Sequence, residues 1–174
     1  MKEIVKKIKV LITDVDGVLT DGGLYYTDEG TVFKKFNVQD GLGVKLAQYA
    51  GLEVIVITGL RSDAVKERIL SLGIEEYYQG HLRKEDVIKE IAKKKGIKFE
   101  EMAYIGDDWV DGPPMKMVGL PMAVNNAQPE IKSLALWISK KDGGDGALRE
   151  AINYILECQG KLRLLWENWL NQGI

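Results

Sequence analysis

Short apolar runs alternate with helical patterns along most of this 174-residue chain. Buried β-strands are predicted at about 8–13, 53–57, 75–78, 102–105, 120–124 and 135–138. Amphipathic helices are predicted at about 40–50, 62–72, 84–95, 109–118, 128–134 and 146–159. Strands that alternate with helices in this way form parallel sheets that are covered by helices on both faces. The chain is therefore predicted to be an α/β protein with a doubly wound, mostly parallel sheet.

One segment departs from this alternation. Residues 22–36 read GGLYYTDEGTVFKKF, in which two short β-prone runs flank Asp28, Glu29 and Gly30. This pattern predicts a β-hairpin inserted after the first strand. With 45% hydrophobic residues the chain can bury one substantial core, so residues 1–174 are expected to form a single domain.

Composition and charge exclude several classes of function. The net charge is −2 with acids and bases interspersed, so nucleic acid is not expected as a partner. The single cysteine, Cys158, excludes an intramolecular disulfide and fits a reducing compartment. The first ten residues, MKEIVKKIKV, lack the features of a signal peptide, and no stretch approaches the roughly 20 apolar residues of a membrane span. A cytoplasmic protein without a membrane partner is expected.

Polar residues follow the predicted strands at the points where those strands end. In an open parallel sheet, ligands bind beyond the carboxyl ends of the strands. The residues at those positions are carboxylates, a hydroxyl, a glycine and an ammonium: Asp14, Asp16, Thr58, Gly59, Lys84, Asp107 and Asp108. Such a set suits a divalent cation together with a phosphate group.

The chemistry of phosphate transfer explains the two leading acids. A carboxylate such as Asp14 can attack phosphorus directly, but two anions repel each other and need a hard cation between them. Oxygen ligands suit Mg²⁺, which Asp14 and Asp107 would hold with their carboxylates and Asp16 with its backbone carbonyl. The side chain of Asp16 then points toward the leaving oxygen, where it can act as an acid and afterwards as a base.

The other residues of the set would stabilise charge. Lys84 offsets the negative charge of nucleophile and phosphate, while the Thr58 hydroxyl and the Gly59 N–H bind phosphate oxygens. Taken singly, each residue also has a structural interpretation. A lone Asp after a strand is usually a turn former or a helix cap, and Asp108 and Asp111 could simply cap the helix that follows. Only the joint order of these residues indicates a site.

That order resembles the four motifs of the haloacid dehalogenase superfamily. The matching segments are DVDGVLTD (14–21), ITG (57–59), the lysine of GHLRKED (80–86) and IGDDWVD (105–111). The resemblance implies that Asp14 is the nucleophile of an aspartyl-phosphate mechanism. The second acid, Asp16, resembles the phosphatase and phosphomutase branch, because dehalogenases have no acid at that position. Asp108 would orient a metal-bound water.

The gaps between these motifs leave no room for a cap domain. Residues 22–57 and 60–83 are already filled by the hairpin and ordinary strands and helices. The chain resembles the 3-deoxy-D-manno-octulosonate 8-phosphate phosphatase family in its short length without a cap domain and in its C-terminal extension. It also resembles that family in the segments FNVQDGLGVK (36–45), RSDAVKERILSLGI (61–74) and GGDGALRE (143–150). The resemblance implies Mg²⁺, a precursor of lipopolysaccharide as product, and a homotetramer whose hairpins and tails cover neighbouring active sites.

The same resemblance suggests which residues contact the substrate. Residues 37–41 form a polar loop that enters a helix with its N–H groups toward the site, and Arg68 is the expected anion partner. Leu60 stands where phosphatases of nine-carbon sugar acids are expected to have Glu, which favours the eight-carbon acid. The predicted substrate contacts are Asp16, Asn37, Val38, Gln39, Asp40, Gly41, Lys45, Gly59, Leu60, Arg68 and Lys84. Arg61 is an alternative anion partner or a solvated residue.

Two residues are left outside the predicted site. Arg149 is interpreted as a tie between its helix and the core. His81, the only histidine, is interpreted as structural or peripheral, since this chemistry needs none.

Three other functions are alternatives for a sequence with these motifs. A phosphatase of another sugar acid, such as a nonulosonate 9-phosphate, would use the same motifs. A phospho-receiver signalling domain also places acids, Thr and Lys at strand ends around Mg²⁺, but it needs its acceptor Asp after the third strand, whereas the strand EVIVI is followed by Thr58. An inactive scaffold would not be expected to keep four intact motifs.

The C-terminal tail, residues 160–174, has an apolar stripe. Leu162, Leu165, Trp166, Trp169 and Leu170 recur at helical spacing. Such a stripe needs a partner. It either packs on the core of its own subunit or docks on a neighbouring subunit, where it would help to cover the active site.

Overall fold

The structure is a computed structural model, and it describes residues 2–172. Met1 and residues 173 and 174 of the predicted tail lie outside the described residues.

A six-stranded parallel sheet forms the centre of the fold. Its strands are β1 (Val10–Thr13), β4 (Glu53–Thr58), β5 (Tyr77–Gln79), β6 (Met102–Gly106), β7 (Leu120–Ala123) and β8 (Trp137–Ile138). They lie in the order β5-β4-β1-β6-β7-β8. Ile12 of the central strand pairs with Ile55 on one side and with Tyr104 on the other. The predicted doubly wound α/β fold is confirmed.

Helices connect the strands. They are α1 (Lys2–Lys6), α2 (Val38–Tyr49), α3 (Asp63–Ser71), α4 (Lys84–Lys95), α5 (Gly112–Met115), α6 (Pro129–Leu134), α7 (Ala147–Cys158) and α8 (Leu162–Gln172). Local capping explains several boundaries: Asn37 accepts a hydrogen bond from the N–H of Gln39 at the start of α2, and Gly96 ends α4 in a left-handed conformation with φ of 64°.

The helix predicted at 109–118 is wrong in its extent. The structure has a 3-10 turn at Trp109–Asp111 and then only the short α5. Pro113 and Pro114 have no N–H groups, so the hydrogen bonds that would join the turn to the helix cannot form. The short helix α1 was not predicted, because its five residues carry only one buried apolar side chain, Val5.

The core is one connected cluster of apolar side chains on both faces of the sheet. All four residues of β1 are buried, as expected for a central strand that is covered on both sides. Among residues 2–172, no helix is long and apolar enough to cross a lipid bilayer.

The predicted hairpin is present. Its strands, β2 (Tyr25–Tyr26) and β3 (Val32–Phe33), form a separate antiparallel ribbon in which the ring of Tyr25 stacks on that of Phe33 at 5.2 Å. A backbone bridge between Thr20 and Phe36 closes its base. The ribbon exposes Leu24 and Tyr26, whose exposed fractions are 70% and 63%.

The tail forms a helix, α8, that packs partly on the rest of the chain. Leu165 is buried, while Leu164, Trp166 and Leu170 are exposed. A small apolar cavity of about 150 Å³ lies beside the helix, between Leu42 and Leu46 of α2 and the two tryptophans of the tail. One side of the apolar stripe is therefore covered within the subunit, and the other side is open.

Candidate active site

Four strand ends bring the predicted residues to one edge of the sheet. β4, β1 and β6 are neighbours; Thr58 is the last residue of β4, while Asp14 and Asp107 directly follow β1 and β6. Lys84 is the first residue of α4, which follows the edge strand β5. Parallel strands end at the same edge, and this topology therefore places the four motifs together.

A fully buried lysine stands at the centre of the site. The Nζ atom of Lys84 lies 2.8 Å from Oδ2 of Asp14 and 2.7 Å from Oδ1 of Asp111. Asp111 Oδ1 also accepts a hydrogen bond from the hydroxyl of Tyr104 at 2.6 Å. Its Oδ2 accepts the N–H groups of Asp107 and Asp108 at 2.9 and 3.3 Å. Asp111 therefore anchors both the lysine and the loop after β6.

The anchoring role of Asp111 was missed by sequence reasoning, which considered it only as a helix cap. The available signal was its spacing. It lies one turn beyond Asp107 in a segment that begins at the end of a strand, so its side chain can return to the strand end.

The cluster carries more negative than positive charge. Burial raises the pKa of Asp14 to about 7, and the neighbouring Asp111 adds to this shift, because a single ammonium does not compensate for both. Burial, Asp111 and Asp14 raise the pKa of Asp107 to about 8. Burial alone would lower the pKa of Lys84, but the two carboxylates outweigh it and raise that pKa. The ammonium is thus held charged among acids that repel one another.

This arrangement fits a divalent cation. Carboxylate oxygens of Asp14, Asp107 and Asp111 lie within 4.8 Å of one another. Oδ1 of Asp107 is buried and has no hydrogen-bond partner among the described residues. Buried polar atoms are normally satisfied, and hard cations take oxygen ligands. Three carboxylates facing one ammonium leave a charge that Mg²⁺ would neutralise. The predicted contribution of the Asp16 carbonyl stays a prediction.

Glycines allow the nucleophile loop to approach this cluster. Gly17 has φ of 88°, and a side chain there would collide with the carboxylate of Asp107. Gly143 and Gly144 press against the same loop from the other side, where the N–H of Gly144 donates to the carbonyl of Val18 at 2.9 Å. The segment 143–150 therefore supports the loop that carries Asp14 and Asp16.

Asp16 does not belong to the carboxylate cluster, and its predicted role as the acid that faces the leaving group stays a prediction. Its carboxylate is about one-third exposed and forms an ion pair with Lys34, from the hairpin. Sequence reasoning did not single out Lys34. Nothing in its local pattern distinguishes it from Lys35, because the contact depends on how the hairpin folds back over the site.

The end of β4 carries a buried hydroxyl group followed by a glycine. Thr58 is buried, and its hydroxyl accepts the N–H of Leu60 at 3.4 Å. A side chain at Gly59 would meet Leu82, so only glycine fits without displacing this neighbour. Leu60 is 58% exposed at the open edge of the site.

Part of the predicted substrate loop also lies near an arginine. The Arg68 guanidinium donates to the carbonyl of Asn37 at 3.3 Å, packs against Gly41 and lies 5.9 Å from the ring centre of Phe36. The side chains of Val38 and Gln39 are exposed in the first turn of α2. The structure thus brings Arg68 to the loop 37–41.

Two predicted substrate contacts are engaged elsewhere. Asp40 is buried and accepts the N–H of Arg149 at 2.8 Å, which caps the start of α7, and burial raises its pKa. The Nζ atom of Lys45 donates to the carbonyl of Leu72 at 2.6 Å, beyond the end of α3. The structure does not bring these two side chains to the carboxylate cluster.

The remaining residues have local partners. Asp108 is exposed and caps the following turn by accepting the N–H of Trp109 at 2.7 Å. Arg61 lies against Gly80 in the loop after β5. The backbone N–H of Arg149 ties α7 to Asp40, while its guanidinium donates to Asn153 within the same helix. His81 is exposed, and its ring meets that of Tyr78 edge-on.

Comparison with known proteins agrees with this geometry. A family model described as haloacid dehalogenase-like hydrolase matches residues 71–150. The 3-deoxy-D-manno-octulosonate 8-phosphate phosphatase of Haemophilus influenzae is 42% identical over 161 residues, which are 92% of this chain and 89% of that protein. The chain therefore belongs to the haloacid dehalogenase-like hydrolases.

Among solved structures, this chain is similar to phosphatases of 3-deoxy-D-manno-octulosonate 8-phosphate. The 3-deoxy-D-manno-octulosonate 8-phosphate phosphatase of Moraxella catarrhalis, in complex with a magnesium ion, a phosphate ion and a KDO molecule, is 36% identical with a TM-score of 0.93, and the match covers 97% of each chain. The cobalt-bound enzyme of Haemophilus influenzae is 39% identical with a TM-score of 0.91 and covers 97% of this chain and 99% of that one.

The charge of the cluster predicts how stability depends on pH. Asp14 and Asp107 bind protons more tightly in the folded protein than in the unfolded chain, where their pKa is about 4. Without metal, the free energy of unfolding should therefore fall as the pH rises from about 4 to about 8, by an amount on the order of a few kcal/mol. Denaturant titrations in a chelator at several pH values measure this fall.

Mg²⁺ should reverse the effect, because it binds the ionised carboxylates. The metal should raise the melting temperature more at pH 8 than at pH 5. Asp107→Asn is the matched control, in which both the pH dependence and the Mg²⁺ effect should shrink. An Mg²⁺ effect of equal size at both pH values would remove these carboxylates from the metal site.

Proposed function

We propose that this protein is an Mg²⁺-dependent phosphatase that hydrolyses 3-deoxy-D-manno-octulosonate 8-phosphate to the free sugar acid and phosphate. The observation that carries the proposal is the buried cluster of Asp14, Lys84, Asp107 and Asp111 with Asp16 facing outward beside it. The chain is 42% identical to a phosphatase that is named for this substrate, and this identity supports the choice of sugar acid.

Asp14 attacks the phosphorus atom in the first step. A bond forms between an Asp14 carboxylate oxygen and phosphorus, and the bond from phosphorus to the sugar oxygen breaks. Asp16 gives its proton to that leaving oxygen. A bound Mg²⁺, held by Asp14 and Asp107 with support from Asp111, would supply charge neutralisation between nucleophile and phosphate.

Water completes the reaction in the second step. Asp16, now deprotonated, removes a proton from a water molecule whose oxygen attacks phosphorus. The bond to Asp14 breaks and its carboxylate is restored. We assign Lys84, which lies 2.8 Å from Asp14, to charge stabilisation, and the Thr58 hydroxyl and the Gly59 N–H to binding of phosphate oxygens.

Recognition of the sugar acid falls to the open side of the site. We assign the substrate carboxylate to Arg68 and to the loop 37–41, because this is where the structure offers a half-buried guanidinium beside the first N–H groups of a helix. Leu60 presents an apolar side chain near the entrance. Phosphatases of nine-carbon sugar acids are expected to have Glu at this position, so the leucine supports the eight-carbon substrate.

The open site supports a homotetramer in which neighbouring subunits provide the cover. The hairpin exposes Leu24, Tyr26 and Phe33, and the tail exposes Trp166 and Leu170. Contiguous exposed apolar side chains are typical of contact surfaces. We assign the hairpin and the tail to contacts around neighbouring active sites.

The chain is proposed to act as a single domain in the cytoplasm, where it would serve the synthesis of lipopolysaccharide precursors. The lone thiol of Cys158 supports a reducing compartment.

The function is tested with a panel of phosphate esters and purified protein. With Mg²⁺, turnover of 3-deoxy-D-manno-octulosonate 8-phosphate should exceed that of a nonulosonate 9-phosphate by at least about tenfold, and a chelator should abolish it. The opposite preference would move the assignment to the nine-carbon acids. Phosphate release measured under steady-state conditions gives both values.

The nucleophile is tested by Asp14→Asn, which should abolish turnover while the protein stays folded, because an amide cannot form the aspartyl phosphate. Asp16→Asn should retain at best a trappable phosphoenzyme, since proton transfer contributes about 10²–10⁴-fold. Circular dichroism controls for folding. Appreciable activity of Asp14→Asn would exclude the covalent mechanism.

The role of the tail is tested by deleting residues 160–174. Catalytic efficiency toward the sugar-acid phosphate should fall much more than efficiency toward a small aryl phosphate, because only the larger substrate needs a cover. The buried contact of Leu165 provides a matched pair of variants: Leu165→Ala should loosen α8, while Leu164→Ala on the exposed side should not. Equal losses on both substrates would favour packing within the subunit alone.

A further inference from the structure

Lys34 is unusual among the residues of the hairpin. Its side chain is only 9% exposed, whereas the side chain of the adjacent Lys35 is 59% exposed. The buried ammonium is directed at Asp16 Oδ1, with which it forms an ion pair. The Nζ atom of Lys35 instead lies 3.7 Å from Oδ2 of Asp21. The two consecutive lysines therefore pair with different carboxylates, and Lys34 is the one that pairs with Asp16.

The position of Lys34 is fixed by the base of the hairpin. The bridge between Thr20 and Phe36 anchors the return strand two residues beyond Lys34. On the outgoing side, the Tyr25 hydroxyl donates to Asp21 Oδ2 at 2.7 Å and the N–H of Gly23 donates to Asp21 Oδ1 at 3.0 Å. These contacts therefore hold in place the segment that carries Lys34.

The ion pair with Lys34 stands alone at Asp16 in the part of the chain that the structure describes. Within residues 2–172, the Asp16 carboxylate makes no hydrogen bond or ion pair besides this one. An aspartate on a glycine-containing loop can otherwise turn toward several directions, including toward the cation that the cluster would hold. The contact engages Oδ1 and leaves Oδ2 available to carry the proton.

We propose that Lys34 is a positioning residue for the phosphatase reaction: it holds the Asp16 carboxyl toward the hairpin, where the leaving oxygen of the substrate lies. The inference rests on the proposed function in so far as Asp16 is the acid. Proton transfer then runs from Oδ2 of Asp16 to the leaving oxygen as the phosphorus–oxygen bond breaks, while Lys34 keeps its proton and changes no bond. The hairpin would then orient the Asp16 carboxyl group, in addition to its proposed role in contacts between subunits.

This role makes a prediction that depends on the leaving group. An alkoxide must be protonated as it leaves, whereas nitrophenolate is stable as an anion and needs little help from an acid. Loss of the correct Asp16 orientation should therefore harm every alkyl phosphate, whether or not it carries a carboxylate, and should spare an aryl phosphate.

The experiment compares Lys34→Met, Lys34→Arg and the matched control Lys35→Met on three substrates. These are the sugar-acid phosphate, a neutral sugar phosphate and p-nitrophenyl phosphate, with kcat/KM as the quantity measured because it reports the steps through departure of the leaving group. Lys34→Met should lose about 10- to 100-fold on both alkyl phosphates and less than about threefold on the aryl phosphate. Lys34→Arg should restore most of the loss, and Lys35→Met should resemble the wild type.

Other outcomes would overturn the proposal. Equal loss on all three substrates would indicate a structural or phosphate-binding role for Lys34, and loss on the sugar-acid phosphate alone would indicate recognition of its carboxylate. Should the wild type fail to hydrolyse the octulosonate phosphate, the proposed function fails, but the comparison of alkyl with aryl phosphates still decides the role of Lys34. Melting temperatures identify any variant that does not fold, and Lys34→Arg keeps the test valid in that case.

Discussion

The buried ammonium of Lys84 joins the parts of this protein that must be held together. It lies at the start of α4, while its two carboxylate partners follow β1 and β6. Removing a charge from water is costly, and a buried lysine is tolerated only when it is paired and hydrogen-bonded. Loss of one partner from such a pair typically costs about 3–5 kcal/mol, because it leaves a buried charge uncompensated. The fold around Lys84 and the chemistry at Asp14 therefore depend on the same contacts.

The cluster is also a place where function opposes stability. A single ammonium among Asp14, Asp107 and Asp111 leaves acids that repel each other, and this repulsion is visible in the raised pKa of Asp14 and Asp107. A protein selected for stability alone would have replaced one acid. Within residues 2–172, the buried Oδ1 of Asp107 has no hydrogen-bond partner, which leaves a strong ligand available for a cation. The rest of the core, with uninterrupted apolar strands on both sides, compensates for this local cost.

The sequence allowed most of the fold and the centre of the site to be predicted. Periodicity located the six strands of the sheet, and the residues after them located Asp14, Thr58, Lys84 and Asp107, because topology alone brings parallel strand ends together. The contacts of the long side chains could not be predicted in the same way. Whether Lys45 reaches a ligand or a helix end depends on packing between α2 and α3.

Tertiary contacts also explain why the roles of Asp111 and Lys34 were not predicted from the sequence. Asp111 anchors the site because the turn after β6 folds back on the strand end, and Lys34 reaches Asp16 because the hairpin closes at Thr20 and Phe36. The break in the predicted helix at 109–118 was local, by contrast. Two consecutive prolines are visible in the sequence, and their missing N–H groups should have shortened that helix.

The sheet ends on both sides in very short strands, Tyr77–Gln79 and Trp137–Ile138. An edge strand offers unpaired backbone groups to any other chain, and short edges limit how many hydrogen bonds a foreign strand can form. Strand addition and the aggregation that follows from it are thus disfavoured at the large sheet. Contacts between copies of this chain are therefore expected to avoid the edges of the large sheet and to use other surfaces.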